Sequence, residues 1–341
     1  MEKLLSVVVP TYNIEAYLDR CLSSFVLPEK YMSAVEVIVV NDGSRDGSSS
    51  IAHRYASDCP GTFIAVDKEN GNYGSCVNKG LELASGKYFR ILDADDWFNK
   101  EALMSIISAL KDCDADLVFT KYAIHYSHCD ALSVFPDEVI PGRKYQVNEL
   151  DDRLINQVVV RMHGMTFRTE LLRKCGLHLQ HGISYTDSEY CYYPSKSVKS
   201  VVFLDEVLYE YDNSRDGQTM DINVRTRSLG QMHKVLMPIL KDYSATGIDV
   251  NPIAVAAAKN ILFLLFNTSL LICRKNVEVE RMLREADAVV VKKKELVDYL
   301  DSLKVRKVHY VSLWRKTGLY YTDSVFRPYN FVWDTMKKLF R

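Results

Sequence analysis

The feature that most constrains this 341-residue chain is a regular alternation over its first 120 residues. Short β-rich apolar runs occur at Leu4–Val9, Val35–Val40, Thr62–Val66, Tyr88–Leu92 and Leu117–Thr120. Between them lie segments of helical period. Ile14, Tyr17, Leu18, Cys21, Leu22 and Phe25 recur at three- and four-residue steps, Ser48–Ser57 and Tyr73–Ala84 read as helices, and Leu103, Ile106, Ile107 and Leu110 mark another. Strand, helix, strand repeated this way predicts an α/β protein with a mostly parallel sheet flanked by helices. A hydrophobic content of 48% supplies a core of that size. The second half reads differently. Residues 121–160 show no clear period, Val201–Leu204 and Val207–Tyr211 read as a short strand pair, and a helical pattern runs from about residue 220 to about 300. The expected division is a sheet domain over residues 1–215 and a helical C-terminal region over 216–341.

Parallel α/β sheets bind ligands beyond the carboxyl ends of their strands, so the residues following each run matter most. They are Pro10-Thr11-Tyr12-Asn13, Asn41-Asp42-Gly43-Ser44, Asp67 with Glu69-Asn70-Gly71-Asn72, and Asp93-Ala94-Asp95-Asp96. Loops are polar in any protein, which accounts for Gly43 and Gly71. It does not account for carboxylates at 93, 95 and 96, which repel one another unless a cation joins them. Oxygen ligands at a strand end suit Mg²⁺ or Mn²⁺, although the same acids could cap the following helix. The chain has neither a GxGxxG after its first strand nor a GxxxxGK[ST], so the dinucleotide and P-loop readings fail. Eight cysteines form no CxxC pair and no zinc spacing. A formal net charge of −1 gives no global electrostatic case for nucleic acid.

Taken together, these segments resemble the family 2 glycosyltransferases of GT-A fold. The matching residues are Ser6–Asn13, Val37–Gly47, Asn70–Gly74 with Asn78-Lys79-Gly80, and Leu92–Asp96, in the family's order and spacing over roughly the first 100 positions. Gly182–Tyr190 resembles the family's catalytic-base segment, and Tyr209–Met220 the segment that closes over the donor diphosphate in some bacterial members. The resemblance implies inverting transfer of a hexose-type sugar from a UDP-sugar to a glycan or lipid-linked acceptor. It implies that Pro10, Thr11, Tyr12 and Asp42 lie against the nucleoside, with Asn78 and Asp93 also on the donor. It further implies that Asp95 binds Mn²⁺ or Mg²⁺, that Arg215 meets the phosphates, and that Asp187 is the base. Two positions depart from the pattern: Val77 stands where an Arg is usual, and Thr186-Asp187 where Glu-Asp is usual. The second keeps Glu189 open as the base.

Each residue has a structural alternative. Tyr12 could be an ordinary half-buried aromatic, Asp42 the start of an Asx turn, Asp187 a helix N-cap, and Arg215 a solvated loop residue. His163, His178 and His181 flank the base segment and read more readily as surface or core residues than as ligands. Trp97 fits either a sugar pocket or the core. Two other functions compete: a metal-dependent nucleotidyltransferase, disfavoured by PTYN in place of a Gly-rich basic loop, and an inactive scaffold subunit, disfavoured because Asp93, Asp95 and Asp187 are all present.

The N-terminal apolar run is too short for a secretory segment, and the sequence reads as cytoplasmic with reduced thiols. Pro252–Cys273, interrupted by Lys259, Asn260 and Asn267, reads as a buried helix rather than a membrane span. Residues 302–341 hold nine Lys/Arg and two Asp, a surplus of seven positive charges. Within them Tyr329, Val332, Trp333, Met336, Leu339 and Phe340 share one helical face. Such a face suits peripheral contact with the inner face of an anionic membrane, and equally packing on the protein or on a second copy of the chain as a homo-oligomer.

Overall fold

The computed structural model describes residues 2–150, 154–155, 158, 160–214, 221–245 and 251–322. The chain forms two compact units, residues 1–215 with 250–257, and residues 216–249 with 258–341.

The first unit is built on a ten-stranded sheet. Its strands are β1 (Leu5–Thr11), β2 (Val35–Asn41), β3 (Phe63–Asp67), β4 (Tyr88–Ile91), β5 (Trp97–Phe98), β6 (Leu117–His125), β7 (Asp130–Leu132), β8 (Lys144–Gln146), β9 (Met165–Arg168) and β10 (Ser200–Asp212). The order is β3-β2-β1-β4-β9-β6-β10-β5, with β7 on β6 and β8 on β10. The strands β3, β2, β1 and β4 run parallel, as do β6 and β10. The helices of this half are α1 (Glu15–Ser23), α2 (Glu29–Met32), α3 (Ser48–Asp58), α4 (Asn72–Leu83) and α5 (Lys100–Asp112). Every residue of β2 is buried, which is why it reads as an unbroken apolar run rather than an alternating one.

Two parts differ from the sequence reading. The expected pair at 201–211 is one strand, β10, whose register with β6 slips between Leu204 and Val207 and again between Val207 and Tyr209. Asp205-Glu206 marks an irregularity, not a turn, and Asp205 pairs there with Lys121 (2.5 Å). The short strand β9 lies antiparallel between β4 and β6, near the middle of the sheet. Beneath the carboxyl end of β4 the buried Arg90 ties three strands together. It donates to Thr120 Oγ1 (3.1 Å), to Thr166 Oγ1 (2.8 Å) and to the His163 carbonyl. Its guanidinium lies 5.3 Å from the Phe98 ring centroid, and burial lowers its pKa to about 10.

The described part of the second unit is helical, with helices at Ile222–Arg227, Leu229–Ala245, Val277–Val290, Lys294–Ser302 and Tyr310–Thr317. Trp314 is fully buried, its indole donating to Glu280 Oε2 (3.1 Å) alongside Tyr320 (3.0 Å). One of the two tryptophans of the basic segment is therefore internal, and residues 329–341 lie outside the described residues. Pro252–Ile272, with a mean hydropathy of 1.7 over its most apolar window, is long and apolar enough by length and composition to cross a membrane, and 67% of that window is buried inside the protein.

Candidate active site

The carboxyl ends of β1 and β2 are in register, with Thr11 opposite Asn41. This brings Pro10-Thr11-Tyr12 and Asp42 to one edge. Asp42 is buried; its amide donates to the Thr11 carbonyl (2.8 Å), and its Oδ1 accepts from Lys68 Nζ (2.5 Å) and the Gly71 amide (2.9 Å). Lys68 also reaches Ser75 Oγ (2.8 Å) and the Glu69 carbonyl (2.6 Å). Gly43 sits at φ +73°, and a Cβ there would lie 3.3 Å from the Asn70 amide nitrogen, so the turn requires glycine. Thr11 is buried with its hydroxyl donating to Val9 O (3.0 Å), whereas Tyr12 is 51% exposed.

The acidic loop follows β4. Asp96 is buried: its Oδ2 accepts from the Tyr209 hydroxyl (2.6 Å) and its Oδ1 from the Asp212 amide (2.8 Å). Tyr209 in turn accepts from the Asp93 amide (3.2 Å). Burial, reinforced by the charges of Asp95 and Asp93, pushes the Asp96 carboxyl well above the ordinary aspartate range. Asp93 and Asp95 are half-exposed. Candidate ligand atoms of Asp93, Asp96 and His163 lie within 4.8 Å of one another. Burial, helped by Arg161 and Arg90, pushes His163 down to about 3, so its ring is neutral, the form that can bind a metal. Its Nδ1 is buried without a hydrogen-bond partner among the described residues. Carboxylates that repel one another beside a neutral imidazole whose buried Nδ1 has no partner among the described residues form a donor set that fits a divalent cation.

The predicted base segment docks on α4. Asn78 Nδ2 donates to the Leu179 carbonyl (2.9 Å), the Leu179 amide donates back to Asn78 Oδ1 (2.9 Å), and the Gly182 amide donates to Gly71 O (3.0 Å). A Cβ on Gly74 would collide with the Gln180 carbonyl oxygen, so this approach depends on glycine. Asn78 thus has its amide committed to holding residues 179–181, including a contact with His181 Nε2 (3.0 Å). Asp187 opens the helix Asp187–Tyr192 and is half-buried. Desolvation raises its pKa, against hydrogen bonds from the backbone amides of Ser188 and its own residue. Glu189 is buried and accepts from the Gln180 amide and Nε2, both at 2.8 Å.

Tyr73 joins the two acidic regions. Its hydroxyl donates to Asp93 Oδ1 (2.9 Å), and its pKa is raised by burial and then by the charges of Asp93 and Asp187. Tyr73 therefore brings the Asp93 loop and Asp187 together, while Arg215 lies outside the described residues. Lys68 and Arg20 carry no signal of a site role in the sequence, and Tyr73, Tyr209 and Asp212 lie inside matching segments without a role of their own, because their partners are elsewhere in the chain. Trp97 is neither a simple core residue nor an open platform: Arg20 lies 4.1 Å from its ring centroid, and His125 stacks on it at 5.2 Å and 12°.

This arrangement, acids at the carboxyl edge of a largely parallel sheet, is the GT-A type of α/β fold. The chain belongs to glycosyl transferase family 2, whose profile matches residues 6–176. It is 36% identical to the putative glycosyltransferase EpsH of Bacillus subtilis over 122 residues, 36% of this chain but only 34% of EpsH, so the chain spans about a third of that relative's length. The crystal structure of S. aureus TarS 1–349 superposes with a TM-score of 0.61 at 20% identity, covering 92% of this chain and 87% of TarS. TarS has also been solved in complex with UDP and with UDP-GlcNAc. The mannosyltransferase PcManGT from Pyrobaculum calidifontis, solved with GDP-Man and Mn²⁺, superposes with a TM-score of 0.54 at 18% identity, covering 99% of this chain and 85% of that one.

Proposed function

We propose that the chain is an inverting glycosyltransferase that moves a hexose-type sugar from a UDP-sugar to a hydroxyl of a glycan or lipid-linked acceptor. The observation that carries this reading is the convergence of the Asp93–Asp96 loop and Asp187 around Tyr73. UDP complexes of TarS and the GDP-Man and Mn²⁺ complex of PcManGT support a nucleotide-sugar donor and a divalent cation. In this reading residues 1–215 form the donor-binding catalytic domain, and Pro10, Thr11, Tyr12 and Asp42 hold the nucleoside.

Asp95 would hold Mn²⁺ or Mg²⁺ from the loop whose Asp93 lies in one donor cluster with Asp96 and His163, a cluster that does not itself include Asp95; Asp96 also serves the loop through its bonds to Tyr209 and Asp212. Bound there, the cation supplies Lewis-acid stabilisation of the negative charge that grows on the leaving diphosphate. Arg215 adds charge-assisted hydrogen bonds to the phosphates. On the opposite side the acceptor oxygen attacks the anomeric carbon as the bond to the diphosphate oxygen breaks, and the hydroxyl proton passes to the Asp187 carboxylate. Burial raises the proton affinity of Asp187, which strengthens it as a base. One displacement inverts the anomeric centre. The test is a nucleotide-sugar panel scored by thermal shift with Mn²⁺, followed by assay of UDP release: a UDP-sugar should raise the melting temperature, and no shift with any nucleotide-sugar overturns the proposal.

A further inference from the structure

We infer that Arg20 is a positioning residue, and that α1 is a strut coupling the nucleoside edge of the candidate site to its acidic loop. The inference deepens the proposed function and rests on it for the identity of the ligand. The N-terminal end of α1 is fastened to the turn after β2: the Ile14 amide donates to Ser48 Oγ (2.9 Å), the Glu15 amide to Asp46 Oδ2 (3.1 Å), and the Gly47 amide to Glu15 Oε2. Its last turn meets the acidic loop. One terminal nitrogen of Arg20 donates to the Asp95 carbonyl (2.5 Å) and to Asp212 Oδ2 (2.8 Å), while the Cys21 thiol contacts the Asp93 carbonyl (3.8 Å). Consecutive residues of one helix thus take two carbonyls of a four-residue loop.

The chemistry of these contacts explains their use. Three neighbouring carboxylates push the loop apart. A guanidinium on the Asp95 carbonyl fixes the backbone from which the Asp95 side chain projects, without consuming its carboxylate. The same nitrogen holds Asp212, whose amide bonds Asp96 Oδ1, so the loop is reached at two points, the Asp95 carbonyl and the Asp96 side chain. Its plane also rests on Trp97, which is stacked on His125, itself held by Glu210 (2.8 Å) and Asp130 (3.0 Å). One terminal nitrogen serves both acceptors while the guanidinium carbon lies 4.1 Å from the Trp97 ring centroid; a lysine ammonium can donate to two acceptors but cannot also lay a planar cation on that ring.

The experiment compares wild type, Arg20→Lys and Arg20→Ala by calorimetric titration of UDP with and without Mn²⁺, and by hydrogen exchange. Arg20→Ala should weaken Mn²⁺-dependent UDP binding by about 10–100-fold, the usual effect of losing an outer-shell partner, and leave Mn²⁺-independent binding unchanged. Arg20→Lys should recover only part of the loss. Exchange should quicken at residues 93–98 and 212–214 and stay unchanged in β2 and α5. Wild-type binding by Arg20→Ala, full recovery by Arg20→Lys, or exchange that quickens evenly across the sheet would overturn the inference. If wild type binds no UDP at all, the proposed function fails instead, and the exchange pattern alone decides whether Arg20 positions the loop.

Discussion

The acidic loop after β4 and the segment opening at Asp187 solve one problem in the same way. The acidic loop carries three carboxylates, among them the adjacent Asp95 and Asp96, and the second segment carries two, Asp187 and Glu189. In each, one member is buried and spent on structure: Asp96 accepts from Tyr209 and Asp212, and Glu189 accepts twice from Gln180. The other member of each pair is only half-buried. The regions differ in electrostatics. Asp96 is pushed up by burial and by neighbouring acids, whereas Asp187 is pushed up by burial, with Glu189 adding least among the causes. A crowded acidic loop is suited to a cation, and a lone desolvated carboxylate to accepting a proton.

The sharpest test of that division is Asp187→Asn. Transfer should fall by about 10²–10⁴-fold, the usual worth of a general base, while UDP binding by calorimetry stays at the wild-type level. Loss of both together would break the comparison, because it would place Asp187 with the donor. On the other side, chelation by EDTA should abolish transfer, with Mn²⁺ or Mg²⁺ restoring it. Asp95→Asn should reproduce the loss with an unchanged melting temperature. Full activity in excess EDTA removes the cation from the argument.

How legible this was in the sequence depended on how local each signal is. The strands β1, β2, β3 and β4 and the helices α1, α3 and α4 announce themselves by period, while the single turn α2 does not, and the residues ending β1, β2 and β4 mark the candidate site because a parallel sheet collects them at one edge. The antiparallel insertion of β9 is invisible, since four residues, Met-Thr-Phe-Arg, carry no direction. β10 read as two strands because Asp205-Glu206 interrupts its apolar pattern, and no sequence rule distinguishes a register slip from a turn there. Asp95 and Asp96 are indistinguishable on paper. Only Tyr209 and Asp212, more than a hundred residues away, show which of them is buried and bonded.

Stability should separate that pair. Asp96→Ala strands the Tyr209 hydroxyl and the Asp212 amide, which costs about 1–3 kcal/mol for a buried group left unpaired. At roughly 2–4 °C per kcal/mol for a unit of this size, chemical and thermal unfolding should both register it. Wild-type stability in Asp96→Ala would mean that the bonds to Tyr209 and Asp212 do not hold the loop. pH gives a smaller effect. The folded-state pKa of Asp187 is raised, so its protonated form is favoured in the native protein, and its stabilising contribution is present at acid pH and lost as pH rises through the raised value. Catalysis runs the other way, since the base must be ionised. The acid limb of kcat/KM should therefore sit above the ordinary aspartate range, and Asp187→Asn should remove it; a limb at or below that range contradicts the assignment.

The smallest effect is expected from Glu189→Gln. Both Glu189 oxygens accept hydrogen bonds, Oε2 from the Gln180 amide and Oε1 from Gln180 Nε2. A glutamine keeps one acceptor and turns the other into a donor facing a donor. It should keep the backbone contact, which fixes the chain, and lose the side-chain one, for about 1 kcal/mol. The segment remains anchored at its other end by the two bonds between Asn78 and Leu179, so Asp187 should shift little and transfer should drop by less than about tenfold, within the range of one lost bond. The pH profile should keep its acid limb, since the ionising group is untouched. If Glu189→Gln instead loses transfer more deeply than Asp187→Asn and also erases the acid limb, the roles within this pair are reversed. Glu189 would then be the base and Asp187 the cap of its helix, and the parallel with Asp95 and Asp96 would fail at the position where it is most easily measured.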